Sequence, residues 1–513
     1  MRRIGLCLPG WKNKNKNNMK VVGLILGVML WAGVIVPLYA QEDVSDVTTY
    51  QVETFGSAAT GDNTPFWMVS NRYGVVPLDA GNGYFRGGVF HQHRLGHSFT
   101  WSVGVDLAFV APRERNVFLQ QLYAELVYQK LVLSIGSKER YISLWDRFLS
   151  SGDLIQSPNA RPIPEINISL PEFVVVPFLK GWLQLKGDMG IGRSFDSRYL
   201  ADVISPDKYY VEDVLWHHKS IFVRLKDTRG DFPFTVSFGV QHTAQWGGNS
   251  TNPNLGKQPH SFKDFLRVFA GKSGGGDASP SAQTNVLGNH HISYDFQLGY
   301  TQKTWAVHAY HQHLSADKSG LLLYNGWDGL WGVQLDVPQF SWIRKVVLEY
   351  LMTKDQSGPL HYLYFDHDRY PGRGGGADNY YNNEEYTTGH TYFNRSIGSP
   401  LIVSPEYNSN RFPGFENNRV KDWHIGLEGD LSRQLSYRLL CTVMNGWGTP
   451  FAPLLKKRDG VSLALDLSYQ HPRLSGWDFK GSVGFDTGDM VGDKTVGFGL
   501  SVRKRGVLKA WNK

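Results

Sequence analysis

The sequence predicts an all-β protein: a transmembrane antiparallel β-barrel of about 18 strands, with short helices near its amino terminus and in one external loop. Three observations lead there. The first forty residues read as an export leader, no later apolar run is long enough for a membrane helix, and apolar and polar residues alternate in segment after segment of the 513-residue chain.

The leader comes first. Arg2, Arg3, Lys12, Lys14, Lys16 and Lys20 precede an uncharged run from Val21 to Val36, and Pro37-Leu38-Tyr39-Ala40 follows. This is the pattern of a signal peptide cleaved after Ala40. Met19, directly before Lys20, offers an alternative start. The leader carries six of the seven excess positive charges, so the mature chain is left at +1 and no nucleic-acid partner is implied. Cys7 lies in the leader and only Cys441 survives, which excludes a disulfide framework.

Beyond residue 40 no stretch reaches the roughly 18 to 20 consecutive apolar residues of a membrane-spanning helix. A mean hydropathy of −0.31 suits a barrel, whose strands need apolar side chains on the lipid face alone. In Ser98 to Val110 the odd positions are Phe99, Trp101, Val103, Val105, Leu107 and Phe109, whereas Ser98, Thr100, Ser102 and Asp106 fall between them. Ile292 to Tyr300 and Val461 to Tyr469 repeat the pattern. Further segments start near Phe85, Val117, Leu131, Val174, Trp182, His217, Pro233, Thr304, Asp328, Val346, Asp422, Leu435, Trp477 and Thr495, which makes seventeen. Bacterial barrels have an even count, and Val47 to Phe55 supplies the eighteenth strand.

Connections alternate in length. Thr301 to Lys303, Ser432 to Gln434 and His471 to Gly476 are short, whereas 243–290, 314–327, 354–421 and 445–460 are long and should face outward. The domain reading is a leader over 1–40, an amino-terminal segment with a helix over 41–84, and a barrel over 85–513. Thr64 as N-cap, Pro65 at the first helical position and Gly74 at the end bracket one helix over Phe66 to Tyr73; Ser261 caps a second before Gly271. Tyr128, Trp182, Trp305, Trp331, Tyr350, Trp423, Tyr437, Tyr469 and Trp477, near strand ends, suit interfacial girdles.

Several connections carry recognisable blocks. They are Pro65-Phe66-Trp67, Asn71-Arg72-Tyr73-Gly74, the run from Ser157 to Pro164, Phe262-Lys263-Asp264-Phe265-Leu266-Arg267, Gly271 to Gly275, Gly288-Asn289-His290, Gly375 to Asn383, and Tyr392-Phe393-Asn394-Arg395-Ser396. In these the chain resembles the capsule assembly Wzi family. The resemblance implies an outer-membrane barrel of eighteen strands with a helical amino-terminal element, a lectin-like protein that helps retain capsular polysaccharide at the cell surface. The final strand departs from the pattern: Val496 to Val502 is followed by Arg503-Lys504-Arg505, and the chain ends at Lys513 instead of an aromatic residue.

Glycan recognition needs flat apolar faces for sugar rings and amide, carboxylate or guanidinium groups for hydroxyls. The connection 354–421 supplies them in Tyr380, Tyr381, Asn382, Asn383, Glu384, Glu385, Tyr386, Tyr392, Asn394 and Arg395. The same residues could instead fold the loop onto the barrel mouth. His91 with His93, and His311 with His313, each share a strand face, but no third ligand stands at a defined spacing, so lumen-facing, hydrogen-bonded histidines are expected instead of a metal site. His217-His218 and His290-His291 point to opposite faces.

No Gly-x-Ser-x-Gly elbow supports a hydrolase, and Gly271-Lys272-Ser273 lacks the earlier glycine of a phosphate loop. The chain is therefore read as a non-enzymatic barrel with no catalytic residue, metal or cofactor, whose partners are a capsular or exopolysaccharide glycan and outer-membrane lipid. A solute channel is the alternative. Lys186, Asp188, Arg224, Asp295, Glu349, Glu428, Asp430, Asp466 and Asp486 suit a plugged lumen or an open one.

Overall fold

The computed structural model describes residues 46–96, 98–112, 117–176, 179–316, 318–357, 378–492 and 494–511. The leader, with Met19 and Cys7, and the Gly375-Gly376-Ala377 part of the loop block lie outside the described residues.

The wall has eighteen strands. They are β1 (Asp46–Asn63), β2 (Asp79–Leu95), β3 (Phe99–Ala111), β4 (Val117–Tyr128), β5 (Leu131–Ser137) and β6 (Glu165–Val175). Next come β7 (Leu183–Arg193), β8 (Leu215–Lys226), β9 (Phe234–Trp246), β10 (Asn289–Thr301), β11 (Ala306–Ser315) and β12 (Gly329–Asp336). The last six are β13 (Lys345–Met352), β14 (Lys421–Asp430), β15 (Leu435–Gly448), β16 (Pro453–Tyr469), β17 (Trp477–Gly488) and β18 (Thr495–Trp511). Each pairs antiparallel with its sequence neighbours, and β1 pairs with both β2 and β18, so the sheet closes. Closure leaves no open edge, which is what a hydrocarbon surround demands of a sheet.

Alternation decides which side each residue meets. In β9, Phe234, Val236 and Phe238 turn outward and are exposed, while Thr235, Ser237 and Gln241 are buried on the lumen side. The acidic and basic positions read from the sequence as lumen-facing do turn inward; Asp188 accepts from Ser220, Asp486 from Ser462, and Lys345 approaches Glu428. Trp182, Trp305, Trp423, Tyr469 and Trp477 remain exposed near strand ends.

Four sequence expectations need correction. β6 begins at Glu165, not near Val174. Its register shifts between Leu170 and Val174, and Pro171, which has no N–H for the ladder, hides the earlier Ile166-Ile168-Leu170 alternation. Residues 445–460 are not a long loop: Gly446 pairs with Arg458 and Gly448 with Pro453, so only 449–452 connect β15 to β16. Glycine and proline there mark a rim bulge, not the end of pairing. The last strand runs past Arg503-Lys504-Arg505 to Trp511.

The fourth concerns the first helix, α1, which spans only Phe66–Val69. Asn71 and Tyr73 adopt φ of 55° and 51°, which no helix continues, and the Thr64 hydroxyl donates to the Asp79 carbonyl at 2.7 Å instead of capping. The helices α2 (Ser197–Val203), α3 (Phe262–Phe269), α4 (Pro280–Thr284) and α5 (Lys318–Leu321) all sit in long connections. At α3 the expected cap is present as a full capping box: Ser261 Oγ accepts from the Asp264 N–H at 3.2 Å, and Asp264 Oδ2 accepts from the Ser261 N–H at 3.0 Å.

Candidate functional site

The long connections all lie at one end of the cylinder, together with the short 449–452 turn, and both ends of the wall lie at the other. Three of these long connections, residues 64–78, 138–164 and 378–420, turn into the lumen and fill it. Trp67, Leu149, Leu154, Tyr380, Tyr381, Leu401 and Phe415 pack there with wall residues Leu314, Val347, Leu351 and Met444 in one buried cluster. Wall glycines make room: a Cβ on Gly426 would stand 2.3 Å from the Leu149 carbonyl oxygen, and one on Gly497 2.5 Å from Pro65.

Polar groups of the wall fix the filling in place. The Phe66 N–H donates to Asp486 at 2.7 Å, and the Trp67 indole N–H to Thr442 at 2.9 Å. Glu349 accepts from the Ser150 hydroxyl at 2.7 Å, the Ser151 N–H at 2.7 Å and the Tyr310 hydroxyl at 2.6 Å. Each is a buried polar group with partners, the condition under which such groups stabilise rather than weaken a core. The recess bounded by Tyr73, Arg140, Arg161 and Glu165 holds about 30 Å³, room for water but not for a sugar ring.

Most of the glycan candidates belong to this filling. Tyr380, Tyr381, Tyr386 and Tyr392 are buried, so their ring faces are already occupied. The Tyr380 hydroxyl accepts from Asn325 at 2.6 Å, and the Tyr386 hydroxyl donates to the Gly247 carbonyl at 3.2 Å. Burial pushes both phenols well above their usual range. Arg395 is buried too; it pairs with Glu406 at 2.9 Å and donates to the Val76 carbonyl at 2.6 Å, tying the 378–420 loop to the α1 segment. Asn394 is buried beside it.

The remaining candidates reach the surface. Glu384 is exposed, and Asn382, Asn383 and Glu385 are half-buried. Asn383 Oδ1 accepts from the Glu385 and Tyr386 N–H groups at 2.9 and 3.0 Å, which shapes the turn that presents Glu384. Glu385 accepts from the Ser279 hydroxyl of the neighbouring connection.

Two aromatics that the sequence reading missed join them. Tyr209 is 48% exposed, and its carbonyl accepts from the Thr387 hydroxyl. Phe412 is 37% exposed; a Cβ built on Gly414 would meet its ring at 3.0 Å and Asn382 Oδ1 at 2.8 Å, so ring and amide adjoin. Arg411 holds this turn by donating to the Val203 carbonyl at 2.8 Å and the Ile204 carbonyl at 3.1 Å. The available signals were Tyr209-Tyr210 and Asn408-Ser409-Asn410-Arg411-Phe412, aromatic and amide residues in long connections. Beneath this surface Asp196 accepts from the Phe393 N–H at 3.0 Å, and burial holds its carboxyl above the usual range.

The histidine pairs lie on the wall's outer side, not in the lumen. His91 and His93 share a face with Phe85 and pack at a tilt against Trp101, ring centroids 4.9 and 5.7 Å apart, and His93 Nδ1 lies 3.0 Å from Asp46. His311 stacks on Trp331 at 3.7 Å, and His313 Nε2 lies 3.1 Å from the Gly320 carbonyl. Among the described residues no group of three or more His, Cys, Asp or Glu is arranged to hold a metal ion.

The family model for capsule assembly protein Wzi matches residues 53–402 of this chain. The chain belongs to the capsule assembly Wzi family. Among solved structures, the outer-membrane protein Wzi of Escherichia coli, a carbohydrate-binding β-barrel involved in group 1 capsule assembly, is similar with a TM-score of 0.52 and 11% identity. That match covers 97% of this chain and 89% of the other. OccAB4 of Acinetobacter baumannii is more distant, with a TM-score of 0.44, 11% identity, and 90% and 98% of the two chains covered. OccK5 of Pseudomonas aeruginosa has a TM-score of 0.44, 9% identity, and the same two coverages. No curated protein matches the chain. This Wzi-family chain is an outer-membrane barrel, and in barrels of that kind the longer connections face the exterior.

Proposed function

We propose that the protein is a non-enzymatic, glycan-binding barrel that retains capsular polysaccharide or exopolysaccharide at the cell surface. The observation that carries this reading is the division of labour within the external connections. Their inner parts pack in the lumen, and their outer parts leave Tyr209 and Phe412 exposed, Phe412 beside Asn382 and Tyr209 beside Thr387, in the loop that also exposes Glu384. Exposed rings offer flat apolar faces to sugars, and the amides and carboxylates offer partners for hydroxyls. The buried Tyr380, Tyr381, Tyr386, Tyr392, Asn394 and Arg395 serve as the base that positions this surface.

A glycan array probed with the refolded barrel tests the reading, beside variants Tyr209→Ala and Phe412→Ala. Each ring removed should weaken binding by about 0.5–1.5 kcal/mol, roughly twofold to tenfold, with the barrel intact. In cells, deletion of the gene should leave polysaccharide synthesis unchanged and increase the fraction shed into the medium. Unaltered retention in the deletion strain would defeat the proposal.

A further inference from the structure

The upper ends of β8, β9 and β10 carry three outward histidines: His217, His242 and His290, with His242 Nε2 and His290 Nδ1 2.8 Å apart. They are not open to solvent. The connection 247–288 folds back over the outer wall and lays α3 against them, the Phe265 ring 5.4 Å and the Phe269 ring 5.3 Å from His217. Trp246, Val268, Ala278 and Leu287 complete this buried cluster. Lower on the same outer faces stand Ile221, Phe238 and Phe296, exposed side chains of the lipid-facing band. From Phe238 to His242 is four residues, which for a tilted strand is a rise of about 10 Å. The helix thus stands just above that band and is continuous with it.

One apolar stripe of α3 is spent on the wall, yet the helix carries a second. Phe262 is 75% and Leu266 50% exposed, and Phe269, partly exposed, joins the two stripes. Its apolar residues occupy one arc of about half the circumference, wider than the contact with the wall uses, and Lys263, Asp264 and Arg267 take the rest; this amphipathic make-up suits a membrane interface. Cations border it: the Lys219 ammonium lies 3.7 Å over the Phe269 ring, and Lys263 and Lys272 are exposed, with Asp277 the nearby exposed acid. Arg267 is held by Asp264 at 2.8 Å. The next external connection along the wall repeats the arrangement. Trp327 there is 68% exposed and 5.3 Å from the outward Trp331, an indole placed as at a membrane interface.

We infer that the free face of α3 is embedded in the outer leaflet, with acyl chains against Phe262 and Leu266 and a phosphorylated lipid headgroup against Lys219, Lys263 and Lys272. The occupant is a lipid and not a second barrel, because the surface continues the lipid-facing wall and its border is cationic. This inference stands independently of glycan binding at the mouth.

The test uses the full barrel in vesicles, with Cys441→Ser and a single reporter cysteine, Phe262→Cys or, as a second variant, Leu266→Cys, carrying an environment-sensitive fluorophore. Glu384→Cys in the same background is the water-exposed comparator. Nitroxide-labelled acyl chains should quench the α3 label about threefold or more over aqueous iodide, and the order should reverse at position 384. Iodide quenching alone at position 262 or 266 would overturn the inference. Shielding from both quenchers, with cross-linking between barrels, would overturn it in favour of a second copy. Vesicles of phosphatidylglycerol should draw the label deeper than those of phosphatidylcholine, and Lys263→Gln with Lys272→Gln should erase that difference; equal depth in both lipids would overturn the headgroup assignment.

Discussion

The Tyr381 hydroxyl donates a hydrogen bond of 2.5 Å to the Leu154 carbonyl and accepts one of 3.1 Å from the Ser399 N–H. Residues 381 and 154 belong to different external connections, so this one phenol clamps two of the three segments that fill the lumen. Its ring packs edge-on against Phe415, 5.3 Å away, and leaves no face for a ligand.

Replacing Tyr381 with Phe keeps the ring and strips both hydrogen bonds, leaving a buried carbonyl and a buried N–H unpaired. A loss of about 1–3 kcal/mol is expected, read as faster proteolysis of the 378–420 loop in the folded barrel. Glycan affinity should stay near wild type. Abolished binding with unchanged proteolysis would return Tyr381 to the glycan surface.

Glu349 is the wall's anchor for residues 150–151, with three short hydrogen bonds to its carboxylate. Hydrogen bonds to a charged group are worth about 1.5–3 kcal/mol each, so Glu349→Ala should free the inner part of the 138–164 connection. In a planar bilayer the wild type should be silent and the variant should show intermittent current steps. Large, steady conductance from the wild type itself would favour a solute channel.

Asp466 collects charge from several directions. Lys480 lies at 2.9 Å, Arg72 at 3.4 Å, Arg438 also pairs with it, and the Ser482 hydroxyl donates at 2.5 Å. Asp466→Asn removes the common anion from three cations and should destabilise the barrel by about 3 kcal/mol, the lower end for a broken buried pair because the cations retain some contact with water. Urea unfolding in detergent micelles measures the shift; a midpoint within error of wild type would contradict the assignment.

Asp328 gives a pH dependence. Burial pushes its carboxyl up to about 7, against the lowering influence of N–H donors from Asp355 at 3.1 Å and Gln356 at 2.6 Å. In the unfolded chain the group titrates near pH 3.9. A pKa raised on folding means that the native state holds the proton longer, so stability is fully present below about pH 4 and is progressively lost up to about pH 7. Asp328→Asn, which cannot ionise, should therefore gain thermal stability relative to wild type at pH 8 and show no such gain at pH 4. A constant difference across that range would refute the account.

The wall was largely legible because one rule governs it: a side chain on alternate positions must match hydrocarbon or lumen. That rule located β1 from Val47 to Phe55 and failed at β6, where Pro171 and a register shift interrupt the period. It could also have oriented the histidines. His91 has the parity of Phe85 and Val89, so its outward direction was implied, but polarity alone suggested the lumen. The surface residues were harder. Tyr381 sits among Asn, Glu and Gly and Tyr209 among Asp, Lys and Glu, polar company in both cases, and a packed plug and a sugar-binding surface draw on the same residue types. What separates them is burial, set by contacts such as Leu154 to Tyr381 that span hundreds of residues.

The pairing of β1 with β18 joins residue 46 to residue 511. A chain missing a stave at either end would present a row of bare amides to lipid, with nothing nearby to satisfy them. Assembly must therefore wait for the seventeen residues of β18 to arrive, and until they do the half-built cylinder is a surface ready to pair with whatever strand it meets.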